Sequence, residues 1–260
     1  MTITTYPNYT ISNTENTYSA PWYMQVSRNL VPGASVVNIY GYQSALPNSS
    51  GATYYPVWDN TTVYTYPVSA TTMLLWSSSA SDTNVSVLIN GLDSSYNPLS
   101  ETLVLTNGTT GVTTVNSYLR INGIQIAGSN NAVGTINLGN AGKTIYYAVI
   151  VAGNGKSQST IYTVPNGYTF YLTRSNAYSS LNGNTAGNYV NYRVFTQNSS
   201  GLIQVLLQAP FVSSYQTLRV SPRGYTQKTD IQWQIAGNPA SGTSSVGIGV
   251  EGVLIANTAA

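Results

Sequence analysis

The chain has 260 residues, 42% of them hydrophobic and only 6% charged, with 9 basic residues against 7 acidic ones. An ordinary soluble domain carries about 25% charged residues, so this surface must be built from Ser, Thr, Asn, Gln and Tyr. The charges are scattered singly, which excludes the basic stripe that neutralises nucleic-acid phosphates, and the absence of Cys and His removes disulfides, thiolate metal sites and every His-dependent triad.

Residues 1–34 alternate Tyr, Thr, Asn and Pro with no lasting period, and Pro7, Pro21 and Pro32 break any long element. This reads as an N-terminal arm, with Trp22-Tyr23-Met24-Gln25-Val26 as a short strand inside it; the arm either lies on its own domain or reaches a neighbouring subunit. The opening residues lack the basic and apolar regions of a secretory signal, and no apolar run approaches the ~18 residues of a membrane helix. Export by the Sec route and membrane contact are therefore not expected. Ser35 to Gln43 reads as a strand ended by the loop of 44–52. Tyr54 to Trp58 reads as another, which Pro56 confines to an edge or a bulge. Val63 to Pro67 and Thr71 to Trp76 read as a strand, a proline stop and a second strand. Val85 to Ile89 reads as a buried strand, Glu101 to Leu105 as its successor after the turn Gly91–Pro98, and Asn107-Gly108 as a tight hairpin with positive φ. Strands are expected at 112–115 and 117–126, then at Thr144–Val151, 161–173, 188–196, 202–207 and in the glycine-rich 246–250. Helical periodicity sustained over 11 or more residues is not evident.

Several stretches recur in the same order about a hundred residues apart, the size of one β-sandwich. Val37-Asn38-Ile39 matches Ile136-Asn137-Leu138. The strand, proline and strand of 63–76 match Ile161 to Thr173. Tyr118-Leu119-Arg120-Ile121 matches Thr217-Leu218-Arg219-Val220, and Gln125-Ile126-Ala127-Gly128 matches Gln234-Ile235-Ala236-Gly237. The 22 Tyr and 4 Trp spread along the chain are not the composition of a disordered segment. The expected fold is all-β: two tandem, internally duplicated β-sandwich or jelly-roll-like units, with an arm at 1–34, a first unit at 35–130 and a second at 131–260.

Chemistry has few carriers. A carboxylate pair of the glycosidase kind would have to come from Asp82, Asp93 and Glu101, and the second unit has no acids at the matching places. Asp93 in Gly-Leu-Asp-Ser-Ser reads more simply as a turn residue bonded to its own backbone, and Glu101 as solvent-facing or paired with Arg120. No Asp-rich loop has calcium-binding spacing, and no phosphate-binding glycine motif opens a helix; Lys143 lies in a turn. The expectation is no enzyme, no catalytic residue, no metal and no cofactor. Candidate contact residues remain. Trp22 and Tyr23 in the arm, with the equivalent Arg120 and Arg219, are candidates for a subunit interface; the two arginines read more simply as contacts inside each domain. Tyr40, Tyr42, Tyr54, Tyr55, Tyr178, Tyr189 and Tyr192 are candidates for stacking on glycan, against the alternative of cross-strand packing.

The stretch Gly91-Leu92-Asp93-Ser94-Ser95-Tyr96-Asn97-Pro98-Leu99-Ser100-Glu101-Thr102, with Asn107-Gly108-Thr109-Thr110, Asn116-Ser117-Tyr118-Leu119-Arg120-Ile121 and Ile161-Tyr162-Thr163-Val164-Pro165-Asn166-Gly167, resembles a pattern in virion proteins of tailed bacteriophages, particularly those of aquatic bacteria. The resemblance implies a β-rich virion component assembled in the host cytoplasm. Its implied role is a decoration or cement protein on the capsid, or else a tail-associated or fibre component. A host-glycan-binding module is the reading from a different class. The implied partners are the major capsid protein or other virion proteins and further copies of the chain; a trimer is expected by fold-level analogy with other jelly-roll virion proteins, and the resemblance brings no catalytic residue with it.

Overall fold

The structure, a computed structural model, describes residues 21–45, 53–60, 62–180, 189–238 and 244–257, with the backbone alone at 217–221 and 238. Residues 1–20 of the expected arm and most of the 44–52 loop lie outside the described residues. Where a strand was expected at Trp22–Val26, the chain forms α1 (Trp22–Ser27). Pro21 holds the N-cap at φ −49, and its carbonyl accepts the amides of Met24 and Gln25 at 2.9 and 3.2 Å. Asn29, at φ 57, ends the helix. Its amide returns to Val26 O and that of Leu30 to Gln25 O, both at 2.9 Å, which is the Schellman closure. A six-residue helix is too short to show a period in sequence. It buries Gln25 and Val26 and leaves Trp22, Tyr23 and Met24 exposed.

The chain then makes β1 (Ala34–Gln43) and β2 (Tyr55–Pro56) and departs at Trp58 into a separate sandwich. That sandwich consists of β3 (Leu74–Ser77), β4 (Val85–Leu92), β5 (Pro98–Leu105), β6 (Val112–Thr113), β7 (Arg120–Ile126), β8 (Ile136–Gly139) and β9 (Tyr146–Ile150). A four-stranded sheet, β6-β3-β8-β9, faces a three-stranded one, β5-β4-β7. Met73, Leu75, Val87, Ile89, Leu105, Ile124, Ile136 and Leu138 fill the space between them. Asn107-Gly108 does not close a hairpin, because β5 and β6 belong to different sheets. The turn crosses between layers, its positive φ falls on Gly111 at 85, and a Cβ on Gly108 would lie 2.0 Å from Ser79 O.

The chain returns through β10 (Ile161–Thr163), β11 (Tyr168–Ser180), β12 (Tyr189–Gln197), β13 (Ile203–Phe211), β14 (Ser214–Tyr225), β15 (Asp230–Asn238) and β16 (Ser245–Ala256). One sheet runs β1-β16-β11-β14; the other runs β10-β15-β12-β13, with β2 also on β15. The strand order of the two sandwiches repeats, although Val37-Asn38-Ile39 in β1 and Ile136-Asn137-Leu138 in β8, matched in sequence, do not fall on equivalent strands. The order β16-β11-β14 repeats β8-β3-β6, and β15-β12-β13 repeats β7-β4-β5. Even the flank of β15 occupied by β2 has its counterpart, since Gln234 pairs with Pro56 and Gln125 with Lys156.

One slot is filled differently, and it moves the unit boundaries. In the first sandwich β8 is flanked by β9, the next strand in the chain; in the second, β16 is flanked by β1, from the other end. Residues 34–58, expected to open a first unit at 35–130, instead complete the second sandwich: Ile39 and Val57 sit in the core with Phe170, Tyr192, Trp233 and Ile248. The first sandwich occupies about 71–157, inside the second. Val63–Tyr66, expected as a strand, forms no ladder. Tyr64 packs edge-on between Trp58 and Tyr66, at 5.2 and 5.0 Å between centroids, so this segment is an aromatic filler between the sandwiches.

The two passages between sandwiches are clasped at their base. Trp58 bridges Ser159, and the fully buried Thr160 hydroxyl accepts the Val57 amide at 3.0 Å and lies 2.7 Å from Trp233 O. Gly41 is required here, because a Cβ would stand 2.2 Å from Val57 O. Beside this clasp the Asp59 carboxylate accepts the Gln158 amide at 2.7 Å. Burial raises its pKa from 3.8 to about 6, and the Gln158 bond only partly offsets that. The folded-state pKa lies above the unfolded one, so Asp59's contribution to stability is fully present below pH 3.8 and is lost as pH rises through about 6. Between pH 4 and 7 this part of the melting temperature should fall. Asp59→Asn, which keeps an acceptor for Gln158, should remove that fall and melt higher than the parent at pH 8, as read by calorimetry across the pH series.

Candidate functional site

The three carboxylates considered for catalysis are each occupied by the backbone. Asp82 is 1% exposed and accepts the Ser77 hydroxyl with the Val133 and Gly134 amides, the latter two at 2.6 and 2.9 Å. Burial alone would raise its pKa, but these three donors outweigh it and hold the carboxyl below its ordinary value. Asp93 closes its own turn, accepting Ser95 N at 2.7 Å and Asn97 N at 2.9 Å. Glu101 accepts Val115 N at 2.9 Å and Asn116 N at 3.2 Å rather than meeting Arg120. Lys143 donates to Thr109 O at 2.6 Å. Two hollows of about 230 Å³ lie among the described residues, one beside Asn122 and Pro165, the other beside Asn198 and Arg223, and neither is lined by a carboxylate.

Arg120 lies at the junction of the two sandwiches. Its Nε and Nη2 donate to the two Asp230 oxygens at 2.8 Å each, and its Nη1 donates to Leu119 O and Pro67 O. The guanidinium stacks 4.5 Å from the Tyr66 ring and 5.5 Å from Tyr96, with side-chain exposures of 11% for Arg120 and 6% for Asp230. Thr163 Oγ1 donates to Asp230 at 2.6 Å, and Asn122 exchanges two hydrogen bonds with the Thr163 backbone. Asn166 donates to Tyr96 O and to Asn97 Oδ1. Three of the four stretches carrying the virion-protein resemblance therefore meet in this joint: Tyr96-Asn97, Arg120, and Thr163 to Asn166. Arg219 is not at the place equivalent to Arg120: it lies in β14, the counterpart of β6, whereas Arg120 lies in β7, the counterpart of β15; its side chain lies outside the described residues.

The tyrosines divide by strand parity. Tyr192 is fully buried, its hydroxyl 2.6 Å from Ser175 Oγ, so it faces the core and is no contact residue. Tyr54 lies on the outer face of the β15-β12 sheet, its ring 3.8 Å from the Arg193 guanidinium; Tyr189 is half-buried at the start of β12, and Tyr55 pairs with Ile235. Tyr40, Tyr42 and Tyr178 stand on the opposite side of the molecule, on the outer face of the β1-β16-β11-β14 sheet, exposed by 53%, 38% and 51%. The register sets them in two adjoining rows: Tyr40, Gly249, Asn176 and Gln216, then Tyr42, Gly247, Tyr178 and Ser214. The floor, Gly247 and Gly249, was not among the sequence candidates. It was readable, because Val246, Ile248 and Val250 alternate inward and leave only glycine facing out.

Two further exposed features stand apart from that face. Trp22, Tyr23 and Met24 project from α1, which packs against β1. Strand β13 ends its sheet and exposes Ile203 and Val205, with Leu202 and Val212 flanking it.

No protein-family model matches the chain, and no curated protein matches it. Among solved structures, a chain of the T13 particle of infectious bursal disease virus is 10% identical, with a TM-score of 0.24 over 85% of this chain and 69% of that one. The VP2 subviral particle of the same virus gives 11% and 0.23, over 87% and 73%. Overlaps this loose carry no argument about function.

The joint makes a measurable claim. Arg120→Met strands the Asp230 charge in a dry site and should cost about 3–5 kcal/mol in urea unfolding. Arg120→Met combined with Asp230→Leu should recover most of that loss. The exposed pair Arg174–Glu251, 3.7 Å apart, should change stability by less than about 1 kcal/mol when either partner is replaced.

Proposed function

We propose that this chain is a structural component of a virus particle, a decoration or cement protein lying over the joints between capsid subunits. The observation that carries the reading is β13, a nine-residue strand at the edge of its sheet. No residue within Ile203–Phe211 is charged, and among the described residues no strand pairs with its outer side. Proteins that work alone blunt such edges with lysine, inward charges, proline, bulges or short length; β13 has a bulge at Leu206 and Pro210 toward its far end, which leaves its first residues, Ile203–Val205, as the unblunted part. Ile203 and Val205, exposed by 54% and 48%, instead offer apolar side chains beside free backbone donors and acceptors, which suits a neighbouring chain. The exposed Trp22, Tyr23 and Met24 of α1 add a second apolar contact.

The phage-virion resemblance of residues 91–121 and 161–167 supports the particle, and the stiff joint they build supports a spacer between contacts. The mechanism is additive: each contact is weak, and repetition around a shell multiplies it. The partners on this reading are the major capsid protein and further copies of the chain, as a trimer. Cryo-electron microscopy of the particle carrying this chain tests it. Density at the subunit joints of the shell, with β13 against a neighbour, is the expected result; density confined to the tail vertex would replace cement by a tail component. Ile203→Lys with Val205→Lys should lower particle occupancy at least tenfold while moving the stability of the free chain by less than about 0.5 kcal/mol, as for other surface changes.

A further inference from the structure

We propose that the outer face of the β1-β16-β11-β14 sheet is a glycan-binding platform, taking a neutral oligosaccharide across Tyr40, Tyr42 and Tyr178. This goes beyond the structural role and does not depend on where the chain sits in a particle.

The first support is the tyrosines. Three tyrosines, exposed by 53%, 38% and 51%, share one face of one sheet. Tyrosine offers a wide, stiff, amphipathic contact at small entropic cost. A pyranose ring has an apolar C–H face that stacks on such a surface and an equatorial rim of hydroxyls that needs donors and acceptors.

The second support is the glycine floor. Gly247 and Gly249 lie in the interior of β16, where glycine weakens a strand. Neither has the positive φ found at Gly111 or Gly201, so the backbone does not require them. What they provide is room. Tyr40 pairs with Gly249, yet its hydroxyl comes within 3.3 Å of where a Gly247 Cβ would be. The ring therefore leans along the sheet and turns a face toward solvent. Across the floor, Asn176 Nδ2 donates to Tyr178 OH at 2.8 Å and fixes that ring as well.

The third support is the size and polarity of the face. Tyr42 and Tyr178 flank Gly247 in one row. With strands 4.7–4.9 Å apart, two steps separate them by about 9.5 Å, a span on the scale of two linked pyranose rings lying across the tyrosine rings. The tyrosine hydroxyls and the amides of Asn176 and Gln216 supply polar partners in the same two rows. The charges nearby, Arg174 and Glu251 in the next row, oppose each other at 3.7 Å. Among the described residues, the two rows themselves carry no charged side chain, which points to neutral sugar.

The test uses the full-length chain with cellohexaose, maltohexaose, hexa-N-acetylchitohexaose and a sulfated heparin hexasaccharide as probes, read by isothermal titration calorimetry. The expected result is saturable binding of at least one neutral probe, with Kd about 0.1–1 mM. Tyr42→Ala, Tyr178→Ala and Gly247→Val, the last filling the floor, should each weaken it at least tenfold. Tyr54→Ala, on the opposite face, should leave it unchanged. Circular dichroism melting shows whether each variant is folded, and Tyr42→Phe, which keeps the ring, should retain most of the binding. Three results would overturn the proposal: no binding of any neutral probe, a preference for the sulfated probe, or affinity unchanged in the folded tyrosine variants. Loss of Tyr42→Ala from assembled particles would overturn it too, by making the face a subunit contact; loss of only the Ile203→Lys, Val205→Lys variant concerns assembly and leaves the glycan site standing.

Discussion

The pairing of β1 with β16 is the constraint on which the second sandwich depends. It runs without a break from Ala34 opposite Ile255 to Gln43 opposite Val246, so two segments more than two hundred residues apart form one antiparallel ladder. Removing it would open β16 along its whole length and take Ile39 from the core. It would also remove one side of the tyrosine face, since Tyr40 and Tyr42 come from β1. A non-local pairing of this kind is slow to form, because loop closure precedes any reward from contact. The first sandwich needs no such help. Its equivalent slot is filled by β9, and it can close while the flanking strands are still unpaired.

That nesting explains why the joint is so heavily bonded. Two polypeptide passages, 58–70 and 158–160, carry the first sandwich on the second, and a sparsely charged chain has few ways to stiffen them. It places one of its few ion pairs here, with both carboxylate oxygens and three guanidinium nitrogens engaged. Around it are Tyr66, Tyr96 and the reciprocal Asn122–Thr163 bonds. Burying such a pair costs desolvation, and its advantage over apolar packing is directional. A bidentate fork between two sandwiches admits one relative orientation. The stretches that resemble phage virion proteins are therefore the parts of this joint.

Much of this was legible in the sequence because β-strands advertise burial by alternation. Val85, Val87 and Ile89 face inward as their spacing predicts, and Gln125-Ile126 and Gln234-Ile235 do occupy equivalent strands. Which edge a strand joins was not legible, since nothing local in Ala34–Gln43 distinguishes a partner a few residues away from one at 246–255. The Trp22–Ser27 helix was missed because six residues carry less than two turns of pattern. Tyr64 and Tyr66 looked like strand residues because aromatics favour strands; here they fill a gap between domains instead. Tyr192 could have been separated from the other tyrosines by parity, since Val190, Tyr192 and Val194 alternate with the polar Asn191 and Arg193.

The low charge of the surface links the two unassigned features. Proteins usually discourage association at edges and faces with charge, and this chain spends almost none at either place. The tyrosine face and the β13 edge are nevertheless on different surfaces of the second sandwich: one is the broad outer side of the sheet built on β16, the other the lateral limit of the opposing sheet. A neighbour added along β13 extends its sheet sideways and does not cover Tyr40, Tyr42 or Tyr178. On the two proposals, one surface would hold the chain in place while the other stays open to solvent, and uncharged chemistry would serve both, by ladder hydrogen bonds and apolar side chains at the edge and by stacked rings and amides on the face.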